Sequence, residues 1–191
     1  VEYRRALLKN HPRHLAALDL AVEKADWEKP LQNGIFRGVA VHAAMGSYVS
    51  QVIELSVEKN RIRILRVVCA IDCGLAVNPD GVKAQMESGI IFGLTAALYG
   101  EITLEHGKVK QSNFNDYRML RFNDSPVIEV HIVESSGEMG GAGEPGDHEP
   151  LLDAGVEDPG VVERLLLGGG EDGAARVDEG LVGSLPGGEV P

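Results

Sequence analysis

The sequence predicts an α+β fold, an antiparallel or mixed sheet packed with two main helices. Three observations point there: apolar residues at helical spacing after Pro12, an extended run rich in β-branched residues from Gly34 to Asp72, and a second helix opened by Asn78-Pro79. The first helix is predicted over Pro12 to Trp27. Proline suits the first turn, where its missing N–H has no partner to lose, and Leu15, Leu18, Val22 and Ala25 recur at three-and-four spacing, so one face should pack on a sheet. In the extended run, Val39, Val41, Val49, Val52, Ile53, Leu55 and Val57 precede Glu58-Lys59-Asn60, and Ile62, Ile64, Val67 and Val68 follow. That pattern reads as an antiparallel hairpin beside an earlier strand.

Asn78 offers a side-chain cap and Pro79 a preset first turn, so the second helix should run from Asp80 to about Tyr99. Gly89 and Gly93 fall four apart on it, each costing about 1 kcal/mol relative to Ala. Such a face implies close contact, either with another backbone or with a bulky ligand. Val127 to Val133 then alternates as a strand and leads through Glu134-Ser135-Ser136 into Gly140-Gly141-Ala142-Gly143-Glu144-Pro145-Gly146. Glycines let a main chain come close to a bound group and Pro145 fixes φ, so Glu144 would sit on a stiff turn, as a catalytic base should. The plainer alternative is an acidic residue in a surface turn, where glycine and proline abound.

A chain of 191 residues can build one good core or two small ones. It contains no run of about 18 apolar residues, so no membrane span is predicted. Its start, Val1-Glu2-Tyr3-Arg4-Arg5, has neither an initiator Met nor an apolar leader and reads as the interior of a longer polypeptide. The net charge of −11 argues against nucleic acid as a partner, but it is unevenly spread. Asp147 to Pro191 holds eleven Asp and Glu against two Arg, so the body before it is nearly neutral. Two domains are therefore expected: a folded body over 1–146, and an acidic, glycine-rich tail over 147–191, disordered or translated out of frame.

Other chemistry is weakly signalled. Leu165 to Gly170 lacks the Lys-Ser/Thr that follows the glycines of a phosphate loop. Cys69 and Cys73 are four apart with no further ligands grouped nearby, so buried free thiols are expected and no metal ligands are assigned. His42 and His131 lie in strand-like runs, Asp147-His148-Glu149 lies in the tail, and no Ser-His-Asp spacing stands out.

A wider set of motifs carries a resemblance. In order they are Arg37-Gly38-Val39-Ala40-Val41-His42, Gly46-Ser47-Tyr48-Val49, Asp72-Cys73-Gly74 through Asn78-Pro79, Gln85-Met86-Glu87-Ser88-Gly89, Gln111-Ser112-Asn113-Phe114 with Asp116-Tyr117, and the turn from Gly140 to Gly146. Together they resemble the molybdopterin-binding large subunit of the xanthine dehydrogenase and aldehyde oxidase family, in particular its isoquinoline 1-oxidoreductase β-subunit type. The resemblance implies that residues 1–146 are the C-terminal part of a molybdopterin-binding domain. Glu144 falls on the family's general base, which helps a water-derived oxygen attack an electron-poor carbon of an N-heteroaromatic ring or an aldehyde. Gln85 falls on a helix that lies against the cofactor, with Ser88 where glycine is usual. Gln111, Ser112 and Asn113 match a loop near the cofactor, and Gly141 and Gly143 belong to the turn beside it.

The implied cofactor is the molybdenum cofactor as molybdopterin cytosine dinucleotide. The implied partners are a small subunit carrying iron–sulfur clusters, for which this chain has no cysteine framework, and the missing N-terminal part of the large subunit. Nothing after Gly146 resembles the family, and the chain alone is expected to be inactive. The alternative is a non-catalytic structural or interaction fragment that keeps the fold and binds no cofactor.

Overall fold

In chain order the elements are helices α1 (Glu2–Leu8) and α2 (Pro12–Lys24), strands β1 (Ile35–Ala44), β2 (Ser47–Glu58) and β3 (Arg61–Asp72), and helix α3 (Pro79–Tyr99). A short ladder of β4 (Leu104–Glu105) and β5 (Lys108–Val109), strand β6 (Val127–Ile132) and the two-residue strand β7 (Gly155–Val156) follow. The computed structural model describes residues 1–58, 61–113, 115–143 and 155–156. Glu144 and all of the predicted tail except Gly155–Val156 lie outside the described residues; those two pair antiparallel with Gly38 and Val39 of β1.

The main sheet is five-stranded, in the order β6-β3-β2-β1-β7, and it is mixed: β1, β2 and β3 form an antiparallel meander, and β6 adds parallel to β3. The meander's first turn is a two-residue link at Met45 and Gly46, both at positive φ (52° and 79°), between the paired Ala44 and Ser47. That turn has the twist an antiparallel pair needs. A register shift between Glu54 and Leu55 interrupts the β2–β3 ladder.

Alternation along the strands builds two cores. On one face, Val39, Val52, Val68 and Ala70 meet Leu18, Ala21, Val22 and Ala25 of the α2 segment. On the other, Val49, Ile53, Val67, Cys69, Ile71 and Val130 meet Met86, Ile90 and Leu94 of α3. The sheet is thus held between the two predicted helices.

Boundaries differ from the sequence expectation for local reasons. Helix α2 stops at Lys24 rather than Trp27 because the chain makes a Schellman ending: Asp26 turns to φ 51°, its N–H bonds Glu23 O, and the Trp27 N–H reaches back to Val22 O. Helix α1 was not expected, and it has no buried residue from which a periodic face could be read. Strand β6 ends one residue early, although the Val133 N–H still bonds Ile71 O at 2.8 Å. Helix α3 begins as predicted, with the Asn78 side chain accepting the Gly81 N–H at 3.1 Å. Gly89 and Gly93 share its buried face with Met86, Ile90 and Leu94. Cys69 and Cys73 are buried free thiols, and burial pushes both pKa values up.

Candidate functional site

Much of what the sequence singles out gathers at one end of the sheet, where β1 turns into β2 and where the parallel strands β3 and β6 both finish. The segment after β6 is laid across that end. Gly140 N–H bonds Cys73 O at 3.0 Å, Gly141 N–H bonds Met45 O at 2.8 Å, and the Ser47 hydroxyl donates to Gly141 O at 2.6 Å. A Cβ on Gly140 would overlap the Ser47 Oγ and the Gly46 backbone. Gly74, at φ 69°, faces Gly137 O and Glu138 O with equally little room. Glycine is required at both places because the chain meets itself there, not because a ligand does.

Gln85 arrives from the second turn of α3. Its side chain is exposed, and a Cβ at Gly143 would find its Oε1 at 3.9 Å, with nothing nearer among the described residues. Two elements predicted as site residues therefore meet at the last described position before Glu144. Gly141 lies against Met45, where a Cβ would come 3.2 Å from the Met45 Cβ. Gln111 and Ser112 are committed to their own loop: Gln111 exchanges bonds with the Thr103 N–H (2.8 Å) and hydroxyl (2.9 Å), and the Ser112 hydroxyl donates to Asp116 at 2.9 Å. Asn113 N–H donates to Asp116 at 2.9 Å as well. The N–H groups of Asn113 and Ser112, with the Ser112 hydroxyl, hold Asp116 below the usual carboxylate range.

Beneath the glycine segment lies an ion pair that the sequence reading did not select. Asp72, at the end of β3, has a side chain only 2% exposed, and Arg13 in the first turn of α2 grips it with both arms, Nε to Oδ2 at 3.1 Å and Nη2 to Oδ1 at 2.7 Å. The same guanidinium reaches Gly46 O (3.4 Å) and Glu138 O (3.3 Å) and lies over the Tyr48 ring at 4.5 Å. Burial opposes the charge on Asp72. The bonds from Arg13, from the Gly74 N–H (3.0 Å) and from the Ser135 hydroxyl outweigh it, so the carboxyl stays below its ordinary pKa. His14 also packs edge to face with Tyr48, ring centroids 4.4 Å apart, and its pKa is lowered by burial and then by His11, His42 and Arg13.

A carboxylate closing the apolar run Val67-Val68-Cys69-Ala70-Ile71 is the signal that could have marked Asp72, since a buried charge needs a partner. No sequence signal names Arg13, 59 residues away.

Among the described residues, no helix is long and apolar enough to cross a membrane, and no three His, Cys, Asp or Glu side chains are grouped to hold a metal ion. Compared with known proteins, residues 18–126 match the family described as the molybdopterin cofactor-binding domain. The isoquinoline 1-oxidoreductase subunit beta of Brevundimonas diminuta is 37% identical over 151 residues, 76% of this chain and 19% of that protein. The membrane-bound aldehyde dehydrogenase [pyrroloquinoline-quinone] of Gluconacetobacter polyoxogenes is 28% identical over 141 residues, 70% of this chain and 18% of that protein. This chain thus spans about a fifth of the length of these curated relatives. Quinoline 2-oxidoreductase from Pseudomonas putida 86 superposes with a TM-score of 0.48 at 21% identity, over 53% of this chain and 14% of that one. A family match across residues 18–126, together with 37% identity over three quarters of the chain, makes this protein a member of the molybdopterin cofactor-binding domain family.

Proposed function

We propose that this chain supplies part of the cofactor wall and the general base of a molybdenum hydroxylase that oxidises a ring carbon of an N-heteroaromatic compound or an aldehyde carbon, using oxygen from water. The observation that carries the reading is the meeting of Gln85 with Gly143, one residue before Glu144. Gln85 is exposed, and among the described residues its amide has no hydrogen-bond partner, so it can both donate and accept toward a polar ligand edge. Among the described residues the position is also open, since a Cβ at Gly143 would meet that amide alone within 4 Å. These features fit a molybdopterin, and the family match supports the same group. The names of the two curated relatives support the two substrate classes.

When bound, the cofactor supplies the two-electron redox chemistry and the activation of water. The chain's own contribution is positional and protonic. Gln85 orients the ligand edge through its amide, with Gly141 and Gly143 allowing close approach. Glu144 accepts the proton of the attacking water-derived hydroxyl on a carboxylate oxygen, the role of a general base. The loop of Gln111, Ser112 and Asn113 lines the cofactor from its own rigid turn. In this reading residues 1–146 are the C-terminal part of the cofactor domain, residues 147–191 are a separate acidic, glycine-rich tail, and the cofactor is the cytosine dinucleotide form. Iron–sulfur clusters sit on a small partner subunit, and the remaining large-subunit segment completes the substrate pocket, so the chain alone is inactive.

The test is Glu144→Gln in the complete complex. Turnover should fall by about 10²-fold or more while molybdenum per enzyme, measured by elemental mass spectrometry, is unchanged. Turnover kept within about tenfold would remove Glu144 from the role of base. Cytosine nucleotide released by mild acid treatment of the same sample reads the form of the cofactor.

A further inference from the structure

The segment that precedes Glu144 is anchored by backbone bonds at Gly140 and Gly141 and, at its start, by one ion pair on the α2 side of the sheet. Asp72 receives three kinds of donor: both arms of Arg13, the Gly74 N–H, and the Ser135 hydroxyl. Ser135 Oγ in turn accepts the Gly137 N–H at 3.1 Å, and Arg13 itself donates to Glu138 O at 3.3 Å and to Gly46 O at 3.4 Å. The start of the glycine segment and the β1–β2 turn on which its later part rests are therefore tied to the same guanidinium. That guanidinium lies over the Tyr48 ring, 4.5 Å from its centroid, a further contact that holds it in place.

We propose that Arg13 is a positioning residue: by joining Asp72, the Gly46 turn and Glu138, it sets the line on which residues 137–143 pass Gln85, and so the point from which Glu144 enters the site. The inference rests on Glu144 as the base and extends it to a residue far away in sequence. A point charge cannot replace it. A lysine ammonium could hold one Asp72 oxygen but not both together with the two carbonyls, because it lacks the flat fork that spans them. A displacement of about 1 Å at a reacting group can cost about 10²-fold in rate, so a small loosening here should be visible in kcat.

The experiment is Arg13→Lys in the complete, cofactor-loaded enzyme. Expected are a near-normal thermal midpoint and molybdenum content, kcat lowered about tenfold or more with KM changed less than about twofold, and faster hydrogen exchange at the Gly140 and Gly141 amides. Wild-type exchange at those two amides, or a wild-type kcat in an enzyme that Glu144→Gln does inactivate, overturns the proposal. If Glu144→Gln leaves turnover intact, the base assignment falls separately, and the exchange of Gly140 and Gly141 alone decides whether Arg13 sets the segment. Arg13→Ala is the harsher variant: should it fail to fold, the lysine variant, which keeps the charge, still decides the question.

Discussion

A single carboxylate at the end of β3 ties acid stability to the shape of the site. Asp72 is desolvated, yet Arg13, the Gly74 N–H and Ser135 keep its pKa below the ordinary value of about 3.9. The folded protein therefore holds that proton less tightly than the unfolded chain. The resulting stabilisation is fully present above the unfolded pKa and is lost as pH falls through the folded one. Asp72→Asn should cost about 3 kcal/mol at pH 7, since it leaves the Arg13 charge facing a neutral amide, and should flatten the loss of stability below about pH 4. Urea titrations of the two proteins at neutral and acid pH measure both effects, and equal acid slopes would show that another group dominates. Neither the pair nor its importance was legible in full. Asp72 stands out as a charge closing an apolar strand, but its partner is 59 residues upstream in a helix whose own pattern speaks only of leucines.

Helix α3 shows what sequence reads well and what it misses. Asn78-Pro79 announces its start, and the cap bond to Gly81 is there, because both signals act through neighbouring backbone. Its far end at Tyr99 was also readable. Its packing on the sheet was readable too, with Gly89 and Gly93 marking the close-contact face, but the full width of that face was not, because apolar residues cover much of the helix: Phe92 is 55% exposed while Ile90 and Leu94 are buried. Leu94, 1% exposed against the α3-side core, should be costly to truncate. Leu94→Ala is expected to lose about 2–5 kcal/mol by denaturant unfolding, and a loss under about 1 kcal/mol would mean that the helix repacks over the gap. The meander gives the converse case. The strands were plain from their β-branched residues, but the turn between β1 and β2 was hidden because Met45 occupies a left-handed position where Asn or Asp would have signalled it.

Across the whole molecule, large apolar side chains remain in water on several elements: Leu75, Val77, Phe92, Ile102, Leu104, Phe122, Val127 and Met139 are all more than half exposed. Scattered apolar residues are normal on any surface, but so many large ones on a chain about a fifth as long as its curated relatives suggest contact surfaces. The chain expressed alone should therefore associate with itself in a concentration-dependent way and bind an apolar dye. A dye-silent monomer in light scattering would count these side chains as ordinary surface. The order of the strands has a kinetic consequence. The first three strands follow one another through short turns, so their pairing closes only small loops, whereas β6 joins β3 after α3 has been traversed, bringing together groups such as Arg66 and Glu129 from 63 residues apart. Since the glycine segment is the continuation of β6, β6 and that segment should be the last part acquired in folding and the first released in partial opening. A chain could thus keep its meander and α2 intact and still have no site.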